Sequence, residues 1–242
     1  MFPLGSVLFP HMPLALRVFE PRYRVMLTRV LASDVAEFGV VLIERGHEAG
    51  GDDQRFGIAT VAEIRELGTL DEDIAVIARG GRRVEVVEWR EDDPHPVALV
   101  RDLPELEWDE RLRPLRDQAE LVVRRAVSRA TEFVELPWTA DAEISGDPVE
   151  SSWQLAGMAP LGPLDQLTLL RCTSLAQLLA RLMESTIEAG EVIAAAFVDH
   201  DLDAELAATV AELGGEEEEG PDDGGSGDAG DDGPDGTSGG SR

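Results

Sequence analysis

With 242 residues, 43% of them hydrophobic, the chain is long enough for one large domain or two small ones around a real core. A formal charge of -28 repels phosphate backbones and anionic lipid, which argues against nucleic-acid and membrane partners. All 21 basic residues are arginine, so a P-loop, a Ser-Lys dyad and Schiff-base chemistry, which all need lysine, are excluded.

Residues 2–9 and 13–19 read as two strands separated by Pro10-His11-Met12-Pro13, with Leu14, Leu16 and Val18 alternating on one side. Pro21 suits the first turn of a helix, where its missing N–H costs nothing, and Glu20 stands at the positive end of that helix. Tyr23, Met26, Leu27, Val30 and Leu31 fall on one helical face. Phe38 to Ile43 is a continuous apolar strand. His47 to Arg55 is a polar loop, and 57–67 alternates as a further strand. Asp71 to Asp73 makes a turn. The runs 74–78 and 84–89 flank Gly80-Gly81, which reads as a hairpin turn. Val97 to Val100 closes a strand-rich half whose short, closely spaced strands suggest a small mixed barrel.

The pattern changes after Pro104. Leu115, Ala119, Val122, Ala126, Ala130 and Phe133 step by three and four, which predicts an amphipathic helix. Residues 136–148 form a loop containing Trp138, followed by short helices over 149–157 and 164–171. Ser174, with Gln177 three residues on, predicts a capping box for a last helix buried along Leu175, Leu178, Leu179, Leu182 and Ile187. Helical composition continues to about Leu213. The tail from Gly214 to Arg242 has ten acidic residues, one arginine and no large apolar residue. It cannot bury enough surface to offset ordering entropy, so disorder is expected there.

The candidate sites are few. Cys172, the only cysteine, ends an apolar segment, as a buried structural thiol would. His11, His47, His95 and His200 are scattered and read as surface or loop histidines. His47-Glu48 lacks the second histidine of a zinc motif, so no metal site is expected. Gly80-Gly81-Arg82-Arg83 could hold an anion, but a turn explains it better. No serine or carboxylate pair marks an active site. The start lacks a basic n-region and an uninterrupted apolar core, so it is not a signal peptide. No apolar run approaches the ~20 residues a bilayer span needs. A cytoplasmic protein is expected.

The opening Phe2-Pro3-Leu4-Gly5-Ser6-Val7-Leu8-Phe9-Pro10, with Glu20-Pro21-Arg22-Tyr23-Arg24 after it, resembles the start of the amino-terminal substrate-binding domain of the Lon protease family. FGVVLIERG (38–46), GIATVAEIREL (57–67) and IAVIARGGRRVEVVEW (74–89) resemble its next segments in order, and the short-helix, Pro, long-helix order resembles its helical part. The resemblance implies an α+β protein: a PUA-like β-rich pseudo-barrel with one early helix over 1–104, a helical domain over 105–213 and the acidic tail over 214–242. It implies a non-catalytic module without cofactor that recognises unfolded or exposed polypeptide segments, alone or as an adaptor to a protease or chaperone. In a chain of 242 residues the ATPase and peptidase parts of that enzyme are not expected. The expected peptide-binding residues are Phe9, Met12, Phe19 and Tyr23 around the Pro-rich turn, with Glu20 and Arg22 as anchoring charges; a structural reading, in which Tyr23 packs on the barrel and Arg22 pairs with an acidic neighbour, stays open beside it. A small-molecule or RNA-binding module of PUA-like type, and an unrecognised hydrolase, stay open as alternatives. Oligomeric state is not legible.

Overall fold

The computed structural model describes residues 1–45 and 54–192. These described residues fall in one compact unit. The expected tail over 214–242, the helical stretch to Leu213, His47 and His200 lie outside the described residues.

Six strands form one mixed sheet: β1 (Phe2–Leu4), β2 (Pro13–Val18), β3 (Glu37–Arg45), β4 (Gln54–Leu70), β5 (Asp73–Arg90) and β6 (Val97–Asp102). The order is β1-β3-β4-β5-β2, with β6 also on β5. β1 runs parallel to β3, with Phe2 opposite Val40, and all other pairs are antiparallel. β5 carries β2 along its first half, Val18 opposite Ile74, and β6 along its second, Val84 opposite Asp102. Register shifts at Thr60/Ala62 and Ile64/Glu66 let the 17-residue β4 bend with its partner, as bulges do. Among the described residues no ladder joins β1 to β2, so the sheet is open and no closed barrel forms.

Gly80 and Gly81 do not make a hairpin turn. β5 runs straight through them, and the reversal lies one turn earlier, at Asp71, whose φ is 54°. The glycine serves close approach instead. A Cβ on Gly80 would lie 2.1 Å from the carbonyl oxygen of Phe9, because the turn over residues 9–12 docks on this strand. The amide of His11 donates to Gly80 O (2.7 Å) and the amide of Gly80 donates to Met12 O (2.8 Å). The first expected strand is also shorter than its apolar run: it ends at Leu4, and Gly5 to Phe9 crosses to the turn as irregular chain.

Helix α1 (Pro21–Leu31) starts at Pro21 and buries Tyr23, Met26 and Leu27. After β6, a 3₁₀ turn (Glu110–Leu112) leads into α2 (Arg113–Ala130), then α3 (Pro148–Met158) and α4 (Pro163–Leu170). Asp147 caps α3, accepting from the amides of Val149 and Glu150, both at 2.9 Å. A last helix, α5, covers residues 175–192. Ser174 Oγ accepts from the Gln177 amide at 3.2 Å, while Gln177 reaches back to the amide of Thr173, one residue before the cap. Leu175, Leu178, Leu179 and Leu182 are buried as expected. Ile187 is not: it is 52% exposed, because the buried stripe steps from Leu182 to Thr186 (1% exposed) and leaves Ile187 to one side of it.

One apolar core runs from the sheet into the helices, joining Phe9, Met26, Val40 and Ala62 to Val123, Trp153, Leu169 and Leu178. A small cluster of Val41, Ala59, Val61 and Val84 backs the other face of the sheet. The core therefore crosses Pro104, where β6 hands over to the helical half. Arg83 of β5 holds that junction. The residue is 6% exposed, and its guanidinium donates from Nη1 to Leu170 O and Cys172 O (both 2.7 Å) and from Nη2 to Pro104 O (2.9 Å). The first two carbonyls belong to the C-terminal end of α4, where the helix dipole favours a cation. Burial pulls the guanidinium below its ordinary pKa.

Candidate functional site

The turn over residues 9–12 is held by Gly80 from below and by its own Met12 N–H to Phe9 O bond (3.3 Å). His11 adopts a left-handed conformation, φ 65°, which turns the chain sharply enough to aim Met12 at the helical half. There Met12 meets Gly157 of α3: a Cβ on that residue would lie 2.6 Å from the Met12 methyl. The His11 ring stays near the surface, its Nδ1 3.4 Å from Glu150 Oε1 and 3.4 Å from Arg79 Nη2. Desolvation holds the His11 imidazole below its usual range, against the attraction of Glu150.

Two adjoining hollows open beside this turn. One, of about 270 Å³, lies between the chain from Ser6 to Leu14 and the Pro137-Trp138 corner. The second, of about 130 Å³, lies between Met12, Pro13 and Trp138 on one side and Ala142, Ile144 and Met158 on the other. Met12, Pro13 and Trp138 line both, so the two form one groove with an apolar floor. Its far wall, the loop over residues 136–147, is fixed from behind by Arg124, whose Nη1 donates to Ala140 O (2.5 Å) and Ala142 O (3.1 Å). β2, an outer strand of the sheet, leaves from the groove's edge. Pro13 suits such a strand, because it offers no N–H for a further ladder.

The six residues expected at a binding site separate. Phe9 (1% exposed) and Met12 (7%) line the groove, but mainly as its floor, and Phe9 also packs on Trp153 with ring centroids 5.8 Å apart. Tyr23 (2% exposed) is a core residue packed on Phe2, centroids 4.3 Å apart. Phe19 is exposed but lines neither hollow. Glu20 and Arg22 bond to each other at 3.0 Å, and the Arg22 guanidinium lies over the Tyr23 ring. Pro137, Trp138, Ile144 and Met158 were not legible as groove residues. The signal available for them was an aromatic next to a proline in a loop, but which turn it faces depends on a contact between residues 12 and 138.

The other chemistry-bearing residues are committed to structure. Arg82 forms a two-pronged bond to Glu37 (2.8 and 2.7 Å) and a third to Asp102 (3.0 Å), which holds the Glu37 carboxyl below its usual range. With Arg83 turned onto carbonyls, the arginine pair following Gly81 is already engaged. Cys172 is buried, its Sγ 3.6 Å from Thr168 O, and burial raises the thiol's pKa, so it stays protonated. His95 is not a surface histidine: it is 7% exposed, with Nδ1 3.2 Å from Pro96 O and Nε2 3.3 Å from Arg29 Nη1. Burial and the neighbouring guanidinium keep its imidazole below the usual range. Among the described residues no group of His, Cys, Asp and Glu is placed to hold a metal ion, and no helix is long and apolar enough to cross a membrane.

Residues 1–186, which include both walls of the groove, match the family model of the ATP-dependent protease La (LON) substrate-binding domain. Two solved structures share the fold. A Lon N-terminal domain protein from Xanthomonas campestris is 23% identical, with 76% of this chain and 95% of that one covered and a TM-score of 0.53. The N-terminal domain of a Mycobacterium avium complex Lon protease is 17% identical, with 76% and 96% covered and a TM-score of 0.52. No protein of curated function matches the sequence.

Proposed function

The chain belongs to the Lon substrate-binding-domain family, and on that premise we propose that it is a non-catalytic module that holds unfolded or exposed segments of polypeptides. The observation that carries this reading is the apolar groove shared by Met12, Pro13 and Trp138 inside the matched residues. Its second hollow is lined almost entirely by carbon, so it rewards burial of an apolar side chain without asking for a particular polar pattern. In the same reading the protein passes clients to a protease or chaperone, in the cytoplasm. The engagement of Arg82, Arg83 and Cys172 in the fold supports binding rather than chemistry.

A contact of this size supports micromolar-class affinity, about -8 kcal/mol or weaker. Trp138 is the side chain to remove. It is half-buried, whereas Met12 is part of the core, and a charge placed at Met12 would be buried and would confuse folding with binding. Trp138→Ala is expected to weaken binding of a fluorescently labelled, reduced and unfolded client at least tenfold, in line with aromatic anchors of interfaces. The melting temperature should fall by only a few degrees. Anisotropy titrations of the two proteins check this, and an unchanged Kd would move the site away from the groove.

A further inference from the structure

We propose that the groove selects apolar segments flanked by basic residues, a preference that rests on the polypeptide-binding reading above and narrows its client class. The wall that carries Pro137, Trp138 and Ile144 belongs to a stretch, residues 131–147, with five acidic residues and no basic one. Asp147 is occupied in capping α3. The other four, Glu132, Glu135, Asp141 and Glu143, are exposed. None of these four is in a salt bridge among the described residues, in contrast to Glu37, Asp73, Asp92, Glu120 and Glu150, which all pair with arginine. Glu143 itself lines the second hollow, beside Ala142 and Ile144.

Arg124, behind this wall, is turned onto the carbonyls of Ala140 and Ala142 and accompanies Glu120 at 2.8 Å; its attraction for Asp141 is a minor one beside the Thr139 hydrogen bond. The wall therefore presents a net negative charge, with no ion pair at these four carboxylates among the described residues, around an apolar floor. Exposed carboxylates interact weakly one at a time, but several acting on one segment within a Debye length of about 10 Å add up. An apolar side chain seated on Met12 and Trp138 would bring its neighbours in sequence within that range. Arginine or lysine at those positions would be attracted and aspartate or glutamate repelled. Phe133 and Val134, both about 40% exposed on the same stretch, extend the apolar surface alongside these charges.

The test uses the full chain and three labelled, unstructured peptides with one common apolar centre, flanked by arginines, by serines or by glutamates. At low salt the arginine-flanked peptide should bind about tenfold more tightly than the serine-flanked one, and the glutamate-flanked peptide most weakly. In 0.5 M salt the spread should collapse to about twofold, since screening acts on the flanks and not on the apolar anchor. A Glu132→Gln, Glu135→Gln, Asp141→Asn variant, which leaves the lining residue Glu143 in place, should lose most of the preference while keeping its affinity for the serine-flanked peptide. A control with Glu88→Gln, Glu91→Gln and Glu107→Gln, all exposed elsewhere, should keep it. Equal binding of the three peptides, or a preference that survives in the loop variant, overturns the proposal and leaves polypeptide binding standing. Binding of none of them at any salt removes polypeptide binding at this groove, and the preference with it.

Discussion

Replacing Arg83 with methionine is expected to lower the free energy of unfolding by about 3–5 kcal/mol, measured by urea denaturation. The sign needs an argument, because a buried charge is itself costly and its removal can stabilise a protein. That relief is available only when the partners go too. Here the partners are the backbone carbonyls of Pro104, Leu170 and Cys172, which no side-chain substitution removes. Methionine fills the stem's volume but leaves the two buried acceptors, Leu170 O and Cys172 O, without this donor, each at about 1–3 kcal/mol, and the half-buried Pro104 O at less. It also removes the guanidinium from the face of Trp153, 5.1 Å away. Lysine keeps the charge at the end of α4 but cannot span three carbonyls, so Arg83→Lys should recover part of the loss. A change below 1 kcal/mol for methionine would mean that desolvation cancels the bonds and that the apolar core alone joins sheet and helices.

Gly80→Ala is expected to cost about 3 kcal/mol or more, at the upper end of what one added methyl does in a packed site. The obstacle is backbone, the Phe9 carbonyl at 2.1 Å, so no side-chain rotation relieves it. Strand and turn must separate, which breaks the paired bonds between Gly80 and residues 11 and 12. Met12 is carried by that turn, so client binding should weaken together with stability. Gly57→Ala serves as the comparison: a Cβ there meets nothing within 4 Å, and the same chemical change should be nearly neutral. Thermal melts of both variants decide it. Equal, small shifts would mean that the turn gives way easily and does not fix the groove.

The contrast between Gly80 and the elements around it shows what the sequence made legible. Period-2 alternation placed β2 and β4, the three-and-four stepping placed α2, and Ser174 with Gln177 placed the start of α5, because each signal is local. A glycine pair is ambiguous locally. It permits a turn, and it permits another backbone to come close, and only the docking of residues 9–12 distinguishes the two. The same limit explains Ile187 and His95. Apolarity pointed to Ile187, but the helix turns the polar Thr186 inward instead, and a histidine among Asp, Pro and Val reads as surface unless α1 is known to cover it, as the contact from Arg29 shows. The family resemblance of the opening was legible in the order of its segments. The groove was half legible: Phe9 and Met12 were found from their own turn, while Trp138, 126 positions after Met12, required the fold.

Hydrogen exchange of the full chain, with and without a saturating unfolded client, tests the central claim most directly. Amides of residues 5–14 and 136–144 should gain protection when client binds, because the groove lies between those two segments. The outer end of the β4–β5 ladder, where Leu67, Leu70 and Ile77 are exposed, should exchange as before. Protection confined to that ladder end and to the surroundings of Phe19, with residues 5–14 and 136–144 unchanged at saturation, would contradict the account.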